Sequence, residues 1–190
     1  MTKPKETCKS GHATKDFHKY AMNEESYIHE HLSTINFIAR EFNCQNVLEI
    51  GTGNGDSTMA LASAMQETGG IVTTIDIKEM GQIQDKIIFG EGLGHKVNFI
   101  KGDSIKNAPL GFYDLILIDG DHTQSRVKKE IEFFRSMLQD GGFMIFHDTN
   151  NPRWCELRHE VHIFTQTYAH GWRTYEWFHC NGLIVIRSPE

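Results

Sequence analysis

The sequence predicts an α/β fold of the Rossmann-like, doubly wound kind: a mostly parallel, seven-stranded sheet that ends in an antiparallel hairpin. Three observations predict it. Short apolar runs recur at wide spacing, as NVLEI (46–50), IVTTIDI (71–77), VNFI (97–100), LILI (115–118) and FMIF (143–146). Windows of helical periodicity lie between them, the pattern of βαβ units on a parallel sheet. The last two strand-like runs, TYEWFHC (174–180) and LIVIRS (183–188), flank Asn181-Gly182, and an Asn-Gly between two such runs is the strongest short hairpin signal.

Taken in order, residues 1–22 are polar and Lys-rich and predict a flexible N-terminal arm, leaving 23–190 as a single domain. That length suffices for a real core. From Asn23 to Phe42 the residues Ile28, Leu32, Ile35, Phe37, Ile38 and Phe42 approximate one apolar side of a helix. The strands are apolar throughout, as in a sheet covered on both faces. The clearest helix is QSRVKKEIEFFRSML (124–138), in which Val127, Ile131, Phe134 and Leu138 recur at helical intervals. A last helix is expected from Trp154 to Tyr168, before the hairpin. His29 and His31 on the first helix and His159 and His162 on the last are expected on solvated faces.

Composition narrows the class. The chain is 39% hydrophobic and 23% charged, with a formal net charge of −6, which excludes disordered and fibrous readings. It offers no overall basic face for nucleic acid. No apolar run reaches the roughly 20 residues that span a bilayer, and the N-terminus lacks the apolar core of a signal peptide. Cys8, Cys44, Cys155 and Cys180 are scattered without a CxxC pair, which predicts free thiols and a cytoplasmic location. Cys8 and His12 have no second ligand pair to make a zinc site.

In open α/β sheets ligands bind beyond the carboxyl ends of the strands, so the residues after each run carry the functional signal. After the first run stands EIGTGNGDST (49–58). Gly51, Gly53 and Gly55 permit a tight turn and close approach of a ligand, and a helix beginning near Ser57-Thr58 offers free N–H groups to a negative group; a tight corner would need the same glycines for geometry alone. The dinucleotide fingerprint G-x-G-x-x-G places a third glycine where Asp56 stands. Glu49 would repel a pyrophosphate and suits a ligand bearing an amino group or a positive charge. Asp76 after the second run can accept from ribose hydroxyls, and Asp103 and Ser104 after the third are available to an adenine edge. Together these describe a nucleoside that carries an amino acid.

The stretches VLEIGTGNGDST, IDI, KGDS, YDLILIDGDHT and GGFMIFHDT resemble the class I S-adenosylmethionine-dependent methyltransferases, over roughly residues 30–188. Within that class the IDGDH and HDT ends resemble the small-molecule O-methyltransferases of the catechol, caffeoyl-CoA and macrolide-sugar types. The resemblance implies that Glu49, Gly51, Gly53 and Gly55 line the methionine portion, that Ser57 touches its carboxylate and that Asp76 holds the ribose, with Thr52, Ile77, Asp103, Ser104 and Asp119 as the further expected cofactor-binding residues. The expected reaction is methyl transfer from S-adenosyl-L-methionine to a hydroxyl of a small molecule.

Asp119 and Asp148 end neighbouring strands. Two close carboxylates need a cation or a proton between them, and an oxygen-preferring divalent ion such as Mg²⁺ meets that need. The resemblance implies the same metal site, with an Asn directly after the second Asp. Here Thr149 occupies that place, Asn150 follows it, and His147 is an alternative donor. His122 lies three residues beyond Asp119, where the catechol-type relatives carry a Lys base. Its unperturbed pKa near 6.5 suits proton abstraction, so Asp119 and His122 are the expected catalytic residues. The plainer reading is a His packed at a helix start with Asp121 as the cap.

Three other classes compete. A nicotinamide-dependent oxidoreductase on a similar sheet lacks support from the third glycine and from the hairpin. A non-catalytic S-adenosylmethionine-binding protein would have no need of Asp119, His122 and Asp148. A nucleic-acid methyltransferase would want a basic path and a different motif after the fourth strand. The acceptor side is expected to come from the arm, the first helix and the segment Asn150–Arg173, with the second subunit of a homodimer as a further contributor. Trp154, Trp172 and Tyr175 are candidates for stacking on the acceptor.

Overall fold

The computed structural model describes residues 21–22, 26–168 and 171–190. The expected arm over 1–22 lies outside the described residues except at 21–22, as do Cys8 and His12. The elements run α1 (His29–Glu41), β1 (Asn46–Ile50), α2 (Asp56–Thr68), β2 (Ile71–Asp76), α3 (Gly81–Asp85), β3 (Val97–Lys101), α4 (Ser104–Asn107), β4 (Tyr113–Ile118), α5 (Gln124–Phe134), β5 (Leu138–His147), α6 (Cys155–Tyr168), β6 (Arg173–Trp177) and β7 (Leu183–Arg187). The strand order is β3-β2-β1-β4-β5-β7-β6. The first five are parallel, while β7 runs antiparallel to both β5 and β6. This is the expected Rossmann-like sheet with its closing hairpin.

Alternation along the strands explains why the runs are apolar throughout. Leu115, Leu117, Phe143, Ile145, Leu183 and Val185 face one layer with α1 and α2. Ile116, Ile118, Met144, Phe146, Ile184 and Ile186 face the other, with Val127, Ile131 and Phe134 of α5 and Leu157, Val161 and Phe164 of α6. Because successive side chains point to opposite faces, both registers must be apolar, and each fully buried Leu or Ile contributes about 1.5–3 kcal/mol.

Several boundaries differ from the sequence reading. The first helix begins at His29, after the turn at Ser26–Ile28. Its buried stripe is Leu32, Ile35, Ile38 and Ala39, whereas Phe37 and Phe42 are exposed. Phe37 falls off the 3.6-residue stripe, and Phe42 lies past the last turn, its ring against Phe143. The fifth helix stops at Phe134, and Leu138 opens β5 rather than closing a helix. The hairpin is a five-residue connection from Phe178 to Gly182, since β6 ends at Trp177 and β7 begins at Leu183. Gly182 N–H donates to His179 O at 2.8 Å, so the tight turn centres on Cys180 and Asn181, both with positive φ.

Candidate active site

The carboxyl ends of β1, β2, β4 and β5 open on one edge, and the backbone ladder continues past the strands there. Gly51 N–H donates to Ile75 O and Asp119 N–H to Ile50 O, both at 2.8 Å. This draws the glycine loop against the end of β4. A Cβ on Gly51 would lie 2.2 Å from the Asp119 carbonyl oxygen, so this glycine is required by strand-to-strand approach. A Cβ on Gly53 would meet nothing within 4 Å, so this is the glycine that faces open space. Gly55 packs on Ile83 instead.

Two cavities share Gly51, Gly53 and Asp119. The larger, about 440 Å³, is bordered by Asp76, Ile77, Asp103, Ser104, Arg126 and Glu130. The smaller, about 190 Å³, is bordered by Ser26, Tyr27, Ile28, Thr52, Ser57, His147 and Asp148. The expected cofactor residues therefore gather on this edge, with two exceptions. Glu49 is fully buried beneath the loop, and Gly55 borders neither cavity.

Glu49 Oε2 accepts from the Thr58 hydroxyl at 2.5 Å, while Oε1 lacks a properly formed hydrogen bond. Burial pushes its carboxyl up to about 7, against the opposing pull of the Ser57, Thr58 and Thr74 hydroxyls. Asp76 Oδ2 accepts from the N–H groups of Thr52 and Gly53, each at 3.1 Å, and Oδ1 from Lys78 N–H at 2.9 Å. The Thr52 hydroxyl pairs with Thr74 at 2.6 Å, facing inward. Asp76 thus also holds the glycine loop closed, a role its position in the sequence did not reveal.

Arg126 and Glu130, which the sequence reading missed, clasp the far end of the larger cavity. Arg126 donates to Asp103 Oδ2 at 2.9 Å, to Glu130 Oε1 at 2.8 Å and to the Ser104 hydroxyl. Ser104 donates to Glu130 Oε1 at 2.6 Å. Asp103 also caps α4 through Ile105 and Lys106 N–H. Arg126 and these amides outweigh desolvation and hold the Asp103 carboxyl below its ordinary value. Burial dominates at Glu130 and pushes its carboxyl up. The only signal in the sequence was the i, i+4 spacing of Arg126 and Glu130.

The second group stands at the ends of β4 and β5. His122 Nε2 is 3.1 Å from Asp148 Oδ2 and 3.6 Å from Asp119 Oδ1, so the expected trio is brought together. The candidate ligand atoms of Asp119, His122 and Asp148 lie within 4.8 Å of one another, close enough to hold a metal ion. Asp148 sits at φ +60, a conformation a non-glycine residue adopts at a cost of about 1 kcal/mol or more. Trp154 places its ring 5.7 Å from that of His122. Thr149 and Asn150 do not join. A Cβ on Gly182 would lie 2.8 Å from the Thr149 hydroxyl, which marks that hydroxyl as turned to the hairpin. Asn150 Nδ2 donates to Phe178 O at 2.8 Å. Asp121 accepts from Thr123 N–H at 3.0 Å, while the N-cap of α5 is Thr123.

His147 is buried, with Nδ1 3.1 Å from Asp119 Oδ1 and Nε2 3.2 Å from Cys180 O. Two acceptors require protons on both nitrogens. Desolvation opposes that cation, but Asp119 and Asp148 overcome it and push the imidazole up to about 9. His31, expected in solvent, is instead buried, because α1 packs that face against the hairpin; it donates from Nε2 to His179 O at 3.0 Å, and burial drops it to about 4. His159 is exposed and His162 partly so, as expected.

The Rossmann-like sheet thus carries a glycine loop, two adjoining cavities and a cluster of Asp119, His122 and Asp148 on one edge, the edge at which open α/β sheets bind ligands. Residues 48–149 match the family described as a methyltransferase domain. That match spans more than half of the chain, and the chain belongs to this family. A flavonoid 3′,5′-methyltransferase of Vitis vinifera is 27% identical over 145 residues, covering 72% of this chain and 60% of the relative. Caffeoyl-CoA O-methyltransferase 2 of Eucalyptus globulus is 31% identical over 98 residues, covering 46% of this chain and 38% of the relative. The structure of an O-methyltransferase of Bacillus cereus in complex with SAH has the same fold, with TM-score 0.67 at 19% identity over 84% of this chain and 80% of that one. The chain spans about half the length of the curated relatives it matches. No helix among the described residues is long and apolar enough to cross a membrane.

Proposed function

We propose that the protein transfers the methyl group of S-adenosyl-L-methionine to a hydroxyl oxygen of a small molecule. The observation that carries this reading is that the cavity of Gly53, Asp76 and Asp103 and the trio Asp119, His122 and Asp148 meet across Gly51 on one edge. The cofactor, when bound, supplies an electrophilic methyl on a sulfonium. The open space at Gly53 admits it, and the carboxylate of Asp76, with the end of the cavity at Asp103 and Ser104, supplies acceptors for ribose and adenine. Relatives named as flavonoid and caffeoyl-CoA methyltransferases support a hydroxyl acceptor, and the SAH complex supports the cofactor.

His122 takes the hydroxyl proton. Asp148, 3.1 Å away, orients its ring and stabilises the imidazolium that forms. Bound there, S-adenosylmethionine would supply the methyl group to that oxygen and leave as its neutral thioether, while the hydroxyl proton stays on His122 beside Asp148. Alignment of the two reactants contributes most of the rate. Asp119 and Asp148 would hold a divalent cation, whose chemistry there is to acidify the hydroxyl. The convergence of His122 Nε2 on both acids favours a second reading, in which His122 is a ligand. An imidazole beside two carboxylates suits Mn²⁺, Fe²⁺ or Zn²⁺ better than Mg²⁺.

The test is calorimetry with S-adenosylmethionine and NAD, followed by turnover on a panel of hydroxyl acceptors with Mg²⁺, with Mn²⁺ and with EDTA. Binding of the adenosyl ligand, no NAD binding and loss of turnover in EDTA are expected. Tight NAD binding without any adenosyl ligand refutes the reading. His122→Ala separates the two roles. A base gives kcat lower by about 10²–10⁴-fold at unchanged Mn²⁺ affinity; a ligand gives weaker Mn²⁺ affinity, with kcat recovered at saturating Mn²⁺.

A further inference from the structure

We propose that His147 is a positioning residue that fixes the Asp119 carboxylate and couples it to the turn between β6 and β7. The inference rests on the reading of Asp119 as part of the reactive centre. An imidazole 2% exposed at the end of a strand costs desolvation unless both nitrogens are satisfied. Both are, and by partners far apart in the chain: Asp119 Oδ1 at 3.1 Å and Cys180 O at 3.2 Å. An apolar residue would pack there without this cost, so the burial of this ring needs a reason.

Holding the hairpin is not reason enough, because other groups already do so. His31 donates to His179 O at 3.0 Å, Asn150 Nδ2 to Phe178 O at 2.8 Å, and Asn150 N–H to Asn181 O at 2.7 Å. The Cys180 thiol donates to Tyr27 O at 2.8 Å. The bond that these groups leave unexplained is the one from Nδ1 to Asp119. It constrains the carboxylate oxygen that also faces His122 at 3.6 Å. The hairpin braces His147 from behind, and the ring of His31 meets that of His147 edge-on at 5.9 Å. A part of the chain remote from the acids in sequence thereby sets where one of them points.

The experiment uses His147→Asn, whose amide nitrogen stands near the place of Nδ1, and His147→Gln, whose nitrogen stands near the place of Nε2. Turnover with S-adenosylmethionine and 3,4-dihydroxybenzoate as probe acceptor is measured beside calorimetric affinity for S-adenosylhomocysteine. His147→Asn is expected to keep kcat within about threefold, while His147→Gln loses about 10–100-fold, the usual cost of losing the outer partner of a site residue. Affinity for S-adenosylhomocysteine should stay within about twofold in both. The reverse order, or full activity in both, assigns His147 to the hairpin alone and overturns the proposal. Independently of turnover, the Nδ1–H resonance of His147 in ¹⁵N-histidine-labelled protein should move in Asp119→Asn and persist in the wild type. A resonance unmoved by Asp119→Asn also overturns it. If the wild type methylates none of a panel of hydroxyl acceptors while this resonance still moves in Asp119→Asn, the functional reading fails and only the His147–Asp119 contact stands.

Discussion

Replacing Gly51 and Gly53 in turn by Ala separates two reasons for glycine within one loop. Gly51 has φ +92, and its added Cβ would stand 2.2 Å from the Asp119 carbonyl oxygen, 2.7 Å from the carbonyl carbon and 2.9 Å from Gly120 Cα. All three are backbone atoms, so no side chain can swing aside. Forcing an L residue into this conformation costs about 1–3 kcal/mol. Separating the ends of β1 and β4 also strains the Asp119 N–H to Ile50 O bond, worth about 0.5–1.5 kcal/mol net. A loss of roughly 3 kcal/mol is expected, which lowers Tm by about 6–12 °C for a chain of this size. Gly53 has φ +52 and open space around it. Gly53→Ala should cost only about 1 kcal/mol yet weaken S-adenosylhomocysteine binding, because its methyl projects into the cleft. Differential scanning calorimetry beside isothermal titration reads both. A Gly51→Ala protein that melts like the wild type would refute the packing argument; a Gly53→Ala protein that binds S-adenosylhomocysteine as tightly as the wild type would refute the assignment of the open face.

Three further outcomes are expected. Asp76→Ala should weaken cofactor binding about tenfold or more, from charge-assisted bonds worth roughly 1.5–3 kcal/mol, and should raise hydrogen exchange at Thr52 and Gly53, whose N–H groups it now accepts; an unchanged Kd by calorimetry contradicts this. The Glu49 carboxyl, raised from 4.5 to about 7 by burial, favours folding below pH 4.5 and loses that contribution as pH rises through 7. Glu49→Gln should therefore gain on the wild type at pH 8, by on the order of 3 kcal/mol, as read by urea melts across pH. His31, lowered by burial from 6.5 to about 4, favours folding above pH 6.5 and loses that contribution as pH falls through 4. His31→Gln should flatten the acid limb of the same melts, and an unaltered limb would remove His31 as its cause.

The sequence by itself determined the positions of the strands, within a few residues, and which groups stand at their carboxyl ends. Period-two burial needs apolar residues on both faces of a covered sheet, and a run that stops at Asp119 or Asp148 announces an edge. The glycine loop, Asp76, Asp103 and the trio with His122 were legible for that reason. Tertiary structure alone decided their partners. Asp119 meets His147 across 28 residues, His31 meets His179 across 148, and Arg126 meets Asp103 across 23. Local pattern reports only neighbours within about one helical turn or one strand step, so it set His31 on a solvated face, left Arg126 and Glu130 unnoticed, and gave Gly51 and Gly53 the same reason. Burial of α1 under the hairpin, and the closeness of β1 to β4, follow from how the sheet brings distant segments together, and no spacing along the chain encodes them.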